Sequence, residues 1–171
     1  MTTDNEPETA VEQPLSDIAV TINGEERSDT VEPRLKLSDY LRNACGLSGV
    51  RVGCEHGVCG ACTVLVDGEP VKSCLMYGVQ ADGKTVETVE GLAEDGKLHP
   101  IQEAFHEEYA LQCGFCTSGF VMATKALLEE NPDPDDETIE SELSGNLCRC
   151  TGYQPIYDAV HRAAETIEGD E

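Results

Sequence analysis

The chain has 171 residues, 34 acidic against 11 basic side chains, a net charge of −23, nine cysteines and no tryptophan. That length suits one ordinary domain or two small ones, and with aromatics at only 5 % an apolar core alone would brace it poorly. The charge excludes a nucleic-acid binder, which needs Lys and Arg against phosphate, and no apolar run approaches the roughly 18–20 residues of a membrane span.

The N-terminus shows no basic region followed by an apolar run, so no secretory signal is read and a cytoplasmic setting is expected. There, many cysteines point to metal rather than to disulfides. Acidic residues gather before Asp17, from Glu129 to Glu142 and at the C-terminus. These stretches do not account for the whole excess, and a halophilic host, whose salt would screen the self-repulsion, is the expectation.

Residues 1–14 are polar and acidic, carry Pro7 and Pro14, and read as a disordered tail. Ile18 to Ile22 alternates as a strand and meets Asn23-Gly24, a strong hairpin signal, before a second strand near Glu25 to Val31. Ser38 reads as the N-cap of a short helix, Asp39 to Ala44. A glycine-rich loop, Gly46 to Gly60, holds Cys54 and Cys59. Thr63 to Val66, Asp67-Gly68 and Glu69 to Lys72 read as another hairpin, and Thr85 to Val89 as a last strand. Beyond Gly91 the apolar period becomes helical. Ile101, Ala104, Phe105 and Tyr109 share one face; Phe120, Ala123, Thr124, Leu127 and Leu128 another. Ile139 and Leu143 mark a short helix, and Ile156, Val160, Ala163, Ala164 and Ile167 a fourth. Pro100 and Pro155 suit first helical turns, and Asn131-Pro132-Asp133-Pro134 is a break. The expectation is α+β: residues 15–91 a small unit of strands and tight turns, residues 92–171 a helical bundle.

The first cysteine group is Cys54-x4-Cys59-x2-Cys62, with Cys74 following after a hairpin. This is plant-type [2Fe–2S] spacing. Three ligands from one loop require tight curling, for which Gly53, Gly57 and Gly60 supply unusual backbone angles, and such a loop aims N–H groups at sulfur. Four thiolates also bind zinc, but zinc usually pairs short Cys-x2-Cys knuckles. The second group is Cys113-x2-Cys116 and Cys148-x-Cys150, both ahead of helix N-termini, whose dipoles favour thiolates. By itself it could be a zinc site, a redox disulfide or a cluster. Cys45 reads as a buried inert thiol, and His56 as a loop residue rather than a ligand.

Gly53-Cys-Glu-His-Gly-Val-Cys-Gly-Ala-Cys-Thr-Val64 with Cys74 resembles the first cluster motif of the molybdenum hydroxylases. Gln112-Cys-Gly-Phe-Cys-Thr-Ser-Gly119 and Gly145-Asn-Leu-Cys-Arg-Cys-Thr-Gly-Tyr153 resemble the second, with the same spacing between them. Arg51 departs from the pattern, which has Lys there; no ligand is missing. The resemblance spans about residues 17 to 165. It implies a ferredoxin-like β-grasp domain followed by a four-helix bundle, with a [2Fe–2S] cluster on Cys54, Cys59, Cys62 and Cys74 and another on Cys113, Cys116, Cys148 and Cys150. It implies that Gln112 and Cys150 approach a molybdenum–pterin cofactor on a large subunit, and that electrons run from molybdenum through both clusters to FAD on a medium subunit. These partners are expected as separate polypeptides, in a dimer of heterotrimers. The competing expectations are a freestanding two-cluster carrier and a zinc-stabilised interaction module.

Overall fold

The computed structural model describes residues 14–169. The expected disordered tail, apart from Pro14, lies outside the described residues. The fold is α+β. Its first half is a five-stranded mixed sheet in the order β2-β1-β5-β3-β4. β1 (Ser16–Ile22) and β2 (Glu25–Val31) form the first hairpin, with Ile22 opposite Glu25. Asn23 and Gly24 both take positive φ, 49° and 83°, which matches the turn to the twist of the strands. β3 (Thr63–Val66) and β4 (Glu69–Lys72) repeat the device at Asp67-Gly68. β5 (Thr85–Glu87) runs parallel to β1 and antiparallel to β3. The strand was expected to reach Val89. It stops earlier because the Asn23 side chain accepts from Thr88 N at 2.8 Å and donates to Thr88 Oγ1 at 3.0 Å, turning the chain away.

Alternation places Ile18, Val20 and Ile22 in one core with Val64, Val66, Val86, Leu37, Tyr40 and Leu41. The edge strand β2 buries only Val31, and its charged residues guard against further strand pairing. β3 is buried at all four positions. Leu65 points away from the first core and joins a second, built by α2 (Pro100–Glu107), α3 (Thr117–Glu130), α4 (Asp136–Leu143) and α5 (Gln154–Gly169). α3 also packs directly on β3 and β4. That explains why Val121 and Met122 are buried beside the expected face of Phe120, Ala123, Thr124, Leu127 and Leu128.

Two local expectations are corrected. Ser38 is not an N-cap: α1 (Leu37–Asp39) starts after Lys36 and runs into a π-helical turn, Tyr40–Ala44. Leu37 N donates to Met76 O at 2.7 Å and Ser38 N to Ser73 O at 3.2 Å, so carbonyls from around Cys74 satisfy the first helical N–H groups. Ser38 is left buried, with an unpartnered hydroxyl. Tyr109 leaves the helical face: α2 ends at Glu107, and Tyr109 takes a φ of 53° and is 82 % exposed.

α2 begins at a capping box. His99 Nδ1 accepts from Ile101 N at 3.2 Å, and Gln102 Oε1 accepts from His99 N at 3.0 Å. Burial, and then the Lys125 ammonium, hold His99 below its ordinary value of 6.5. The cap needs a neutral ring, and a cation is also unfavourable at a helix N-terminus. Because the folded value lies below the unfolded one, this stabilisation is complete above pH 6.5 and is lost as pH falls through the folded value. The protection of the Ile101 amide, measured relative to its intrinsic exchange rate at each pH, should therefore weaken as pH falls below 6.5. His99→Asn, which caps at any pH, should flatten that dependence.

Candidate metal centres

The first group sits where α1, the loop before β3 and the segment after β4 meet. Between the π-helical turn and β3 the chain has no regular structure and wraps around its own sulfurs. Three backbone N–H groups, those of His56, Cys59 and Val58, point at Cys54 Sγ, the Cys59 contact measuring 3.4 Å. They lower the Cys54 thiol to about 6, His56 contributing most. Gly57 N–H points at Cys74. Gly57 and Gly60 take φ of 81° and 70°, as a curled loop requires. Gly53 serves differently from expectation. Its φ is not positive, but a Cβ there would lie 3.2 Å from Cys59 Sγ and 3.3 Å from Phe115 Cε1.

Cys62 and Cys74 lie side by side and are both buried. Burial, then the neighbouring Cys62 sulfur, push the Cys74 thiol up to about 11. Such a pair resists ionising by itself and accepts a metal cation readily. His56 Nδ1 engages the Cys54 carbonyl, away from the sulfurs.

The second group joins two segments. Cys116 caps α3, and Cys148 and Cys150 precede α5. Cys113 and Cys150 are exposed, with sulfurs 3.6 Å apart. Cys116 and Cys148 form the inner pair: burial, then Cys148, push Cys116 up to about 12. Burial alone would raise Cys148 too, but the Thr151 hydroxyl at 3.1 Å and its N–H at 3.4 Å outweigh it and hold the thiol low. The Thr151 hydroxyl also accepts from Tyr153 N at 3.2 Å, which aims its proton at sulfur. Gln112 Nε2 donates to Cys150 O at 2.9 Å, so these two residues stand together at the surface.

The sulfurs fit a two-metal cluster. Two ligands about 2.3 Å from one tetrahedral ion lie about 3.8 Å apart, close to the Cys113–Cys150 separation. Each group falls into two such pairs, as a binuclear centre needs.

The two groups touch. Leu147 N donates to Cys59 O at 2.9 Å, and Asn146 Nδ2 to Gly60 O at 3.1 Å. Lys72 Nζ donates to Asn146 Oδ1 at 2.9 Å and to Thr63 Oγ1 at 3.2 Å. Sequence reading singled out neither Lys72, Asn146 nor Thr151, and for Lys72 it held no signal. Cys45, expected to be buried, is half-buried; burial raises its thiol although Tyr40 and Arg27 act against that.

Comparison with known proteins agrees with this geometry. Residues 20–97 match the 2Fe-2S iron-sulfur cluster binding domain, and residues 88–161 match the [2Fe-2S] binding domain. The nicotine 6-hydroxylase small subunit of Paenarthrobacter nicotinovorans is 56 % identical over 144 residues, 84 % of this chain and 87 % of that one. The nicotinate dehydrogenase small FeS subunit of Eubacterium barkeri is 52 % identical over 148 residues, 86 % and 94 % of the two chains. The crystal structure of quinoline 2-oxidoreductase from Pseudomonas putida 86 contains a chain that superposes with a TM-score of 0.88 at 49 % identity, covering 92 % of this chain and 98 % of that one. Paired thiols, two matched cluster domains and relatives similar over most of their length lead to one conclusion: the chain belongs to the small iron–sulfur subunits of the molybdenum hydroxylases, electron-transfer subunits of oxidoreductases with two [2Fe–2S] clusters.

Proposed function

We propose that this chain carries single electrons between a molybdenum–pterin centre on a large subunit and FAD on a medium subunit. Cys113, Cys116, Cys148 and Cys150 would hold the cluster that faces molybdenum, and Cys54, Cys59, Cys62 and Cys74 the cluster that faces the flavin. The observation that carries this reading is the contact between the two thiol groups, where Leu147 N meets Cys59 O. It makes a short bonded route from one ligand loop to the other. The exposed Cys113–Cys150 pair beside Gln112 supports the second group as the entry side, with those two residues nearest the pterin.

A bound cluster supplies one-electron chemistry. The chain's own part is to hold the sulfurs in pairs, aim N–H and O–H groups at them and exclude water from Cys62 and Cys74. The two cores support a ferredoxin-like β-grasp unit, residues 15–91, followed by a four-helix unit, residues 92–171. The assembly is a dimer of heterotrimers on this reading, and the net charge of −23 supports a salt-rich cytoplasm that screens it. Among the described residues no helix is long and apolar enough to cross a membrane. Nicotine, nicotinate and quinoline, named in the relatives, are nitrogen heteroaromatics, which favours that substrate class for the large subunit.

The test is metal analysis and EPR of the protein purified anaerobically at high salt. About four iron and four sulfide per chain, with two distinct signals after reduction, are expected. Zinc without sulfide would overturn the reading. Co-purification of large and medium subunits in equal amounts separates a fixed complex from a freestanding carrier.

A further inference from the structure

Lys72 ends β4 and is one of 11 basic residues in a chain of net charge −23. Three of the other four lysines find carboxylates: Lys36 meets Glu55, Lys84 meets Asp67, and Lys125 meets Glu87 and Glu129, while Lys97 is exposed. Lys72 meets none among the described residues, although acidic residues outnumber basic ones threefold. Its ammonium is half-buried and turned inward, onto the neutral oxygens of Asn146 and Thr63. Its Thr63 partner directly follows Cys62, and although burial holds the ammonium below its ordinary value, the charges of Cys62, Cys59 and Cys74, three of the four first-group thiols, act in its favour. Removing an ammonium from water without a carboxylate partner is unfavourable, and negative charge at the first-group thiols offsets part of that cost.

Among the described residues the second group has no comparable cation. Its inward hydrogen bonds come from the Thr151 hydroxyl and backbone N–H groups, all neutral. Arg149 stands between Cys148 and Cys150 but is exposed, where water and salt screen it. Besides the burial of Cys62 and Cys74, the two thiol groups thus differ electrostatically by a single half-buried positive charge.

We propose that Lys72 sets the direction of electron flow, by making the first cluster the better electron acceptor of the two. This rests on the ligand assignment under Proposed function. When one electron passes from the second cluster to the first, the first cluster as a whole gains one negative charge and the second loses one. No bond forms or breaks and no proton moves. The ammonium stays charged throughout and favours the state with the extra electron beside it. Lys72 is a positioning residue for charge, acting on the cluster through space without supplying a ligand.

The experiment is an EPR-monitored reductive titration of the full chain with its clusters, comparing Lys72→Gln, Lys72→Met and Lys72→Arg with the parent. Cys59→Ser identifies which signal belongs to the first cluster. Lys72→Gln keeps a donor for Asn146 and removes the charge. It should lower the first cluster's midpoint alone, shifting electron sharing between the clusters about tenfold toward the second, or 59 mV for one electron. Lys72→Met should do the same, and Lys72→Arg should restore the parent midpoint. Unchanged midpoints in Lys72→Gln, or equal movement of both, would overturn the proposal. If Lys72→Met loses a cluster while Lys72→Gln matches the parent, the residue is only a clamp and the proposal also fails. If Cys59→Ser removes both signals or neither, the ligand assignment has failed instead, which is a different result.

Discussion

Serine in place of Cys59 should remove one EPR signal and about half of the iron, leaving the other signal unchanged. Cys59 belongs to the loop that closes around Cys54, and its own N–H bonds the Cys54 sulfur. An alkoxide is a poorer iron ligand than a thiolate, and the loop has no regular structure to hold three remaining sulfurs in place. The second group should survive, because its inner sulfurs stand on α3 and ahead of α5, over a separate core of Ile101, Phe105, Phe120, Ile139, Ile156 and Val160. Cys116→Ser should give the complementary loss. Proteolysis should sharpen the contrast: Cys59→Ser should open the loop before β3 to cleavage while the helices resist. Loss of both signals from either change would mean that the two sites do not stand independently.

Alanine at Gly60 or Gly119 should be the most damaging change that touches no ligand. Gly119 lies inside α3, where alanine would normally add about 1 kcal/mol of helix stability. Here its Cβ would run into the carbonyl oxygen of Gly60 and approach Ala61 Cα and Asn146 Nδ2 to 3.1 Å each. A backbone carbonyl cannot swing aside as a flexible side chain can. Overpacking of this kind costs about 1–3 kcal/mol, which outweighs the gain in propensity. At Gly60 the Cβ would lie 2.5 Å from Gly145 O, and its φ of 70° is already unfavourable for alanine. Both changes pry apart the junction where Leu147 meets Cys59. The temperature at which cluster absorbance is lost should fall by several degrees in each, at about 2–4 °C per kcal/mol for a chain of this size. Electron transfer between the clusters should slow as well. A Gly119→Ala protein as heat-resistant as the parent would show that α3 does not press on the first loop.

Much of the architecture was legible because it is local. Asn23-Gly24 and Asp67-Gly68 specify their hairpins through backbone angles that few residue pairs adopt. The helical faces after Gly91 follow from the spacing of apolar side chains, and Ile139 with Leu143 marks α4 correctly. Where reading failed, a distant partner decided the outcome. Ser38 looks like a cap until carbonyls from Ser73 and Met76 take its place. Tyr109 keeps the helical period, but the chain turns out of α2 before reaching it.

The eight cysteines are readable for a related reason. Three ligands of a plant-type cluster must arrive at short fixed spacings, so Cys54-x4-Cys59-x2-Cys62 announces itself in one dimension, whereas Cys113-x2-Cys116 with Cys148-x-Cys150 fits zinc, a disulfide or a cluster until its flanking residues are matched to the molybdenum hydroxylase motif. The sequence by itself therefore determined the α+β class, the two cysteine groups and the chemistry of the first, while the chemistry of the second came from its resemblance to a known motif. Only the tertiary structure decided which sulfurs pair, that Leu65 crosses the sheet into the helical core, and that Lys72 points inward to Asn146. Those facts depend on residues up to 74 positions apart meeting in space, and no local pattern encodes such a meeting.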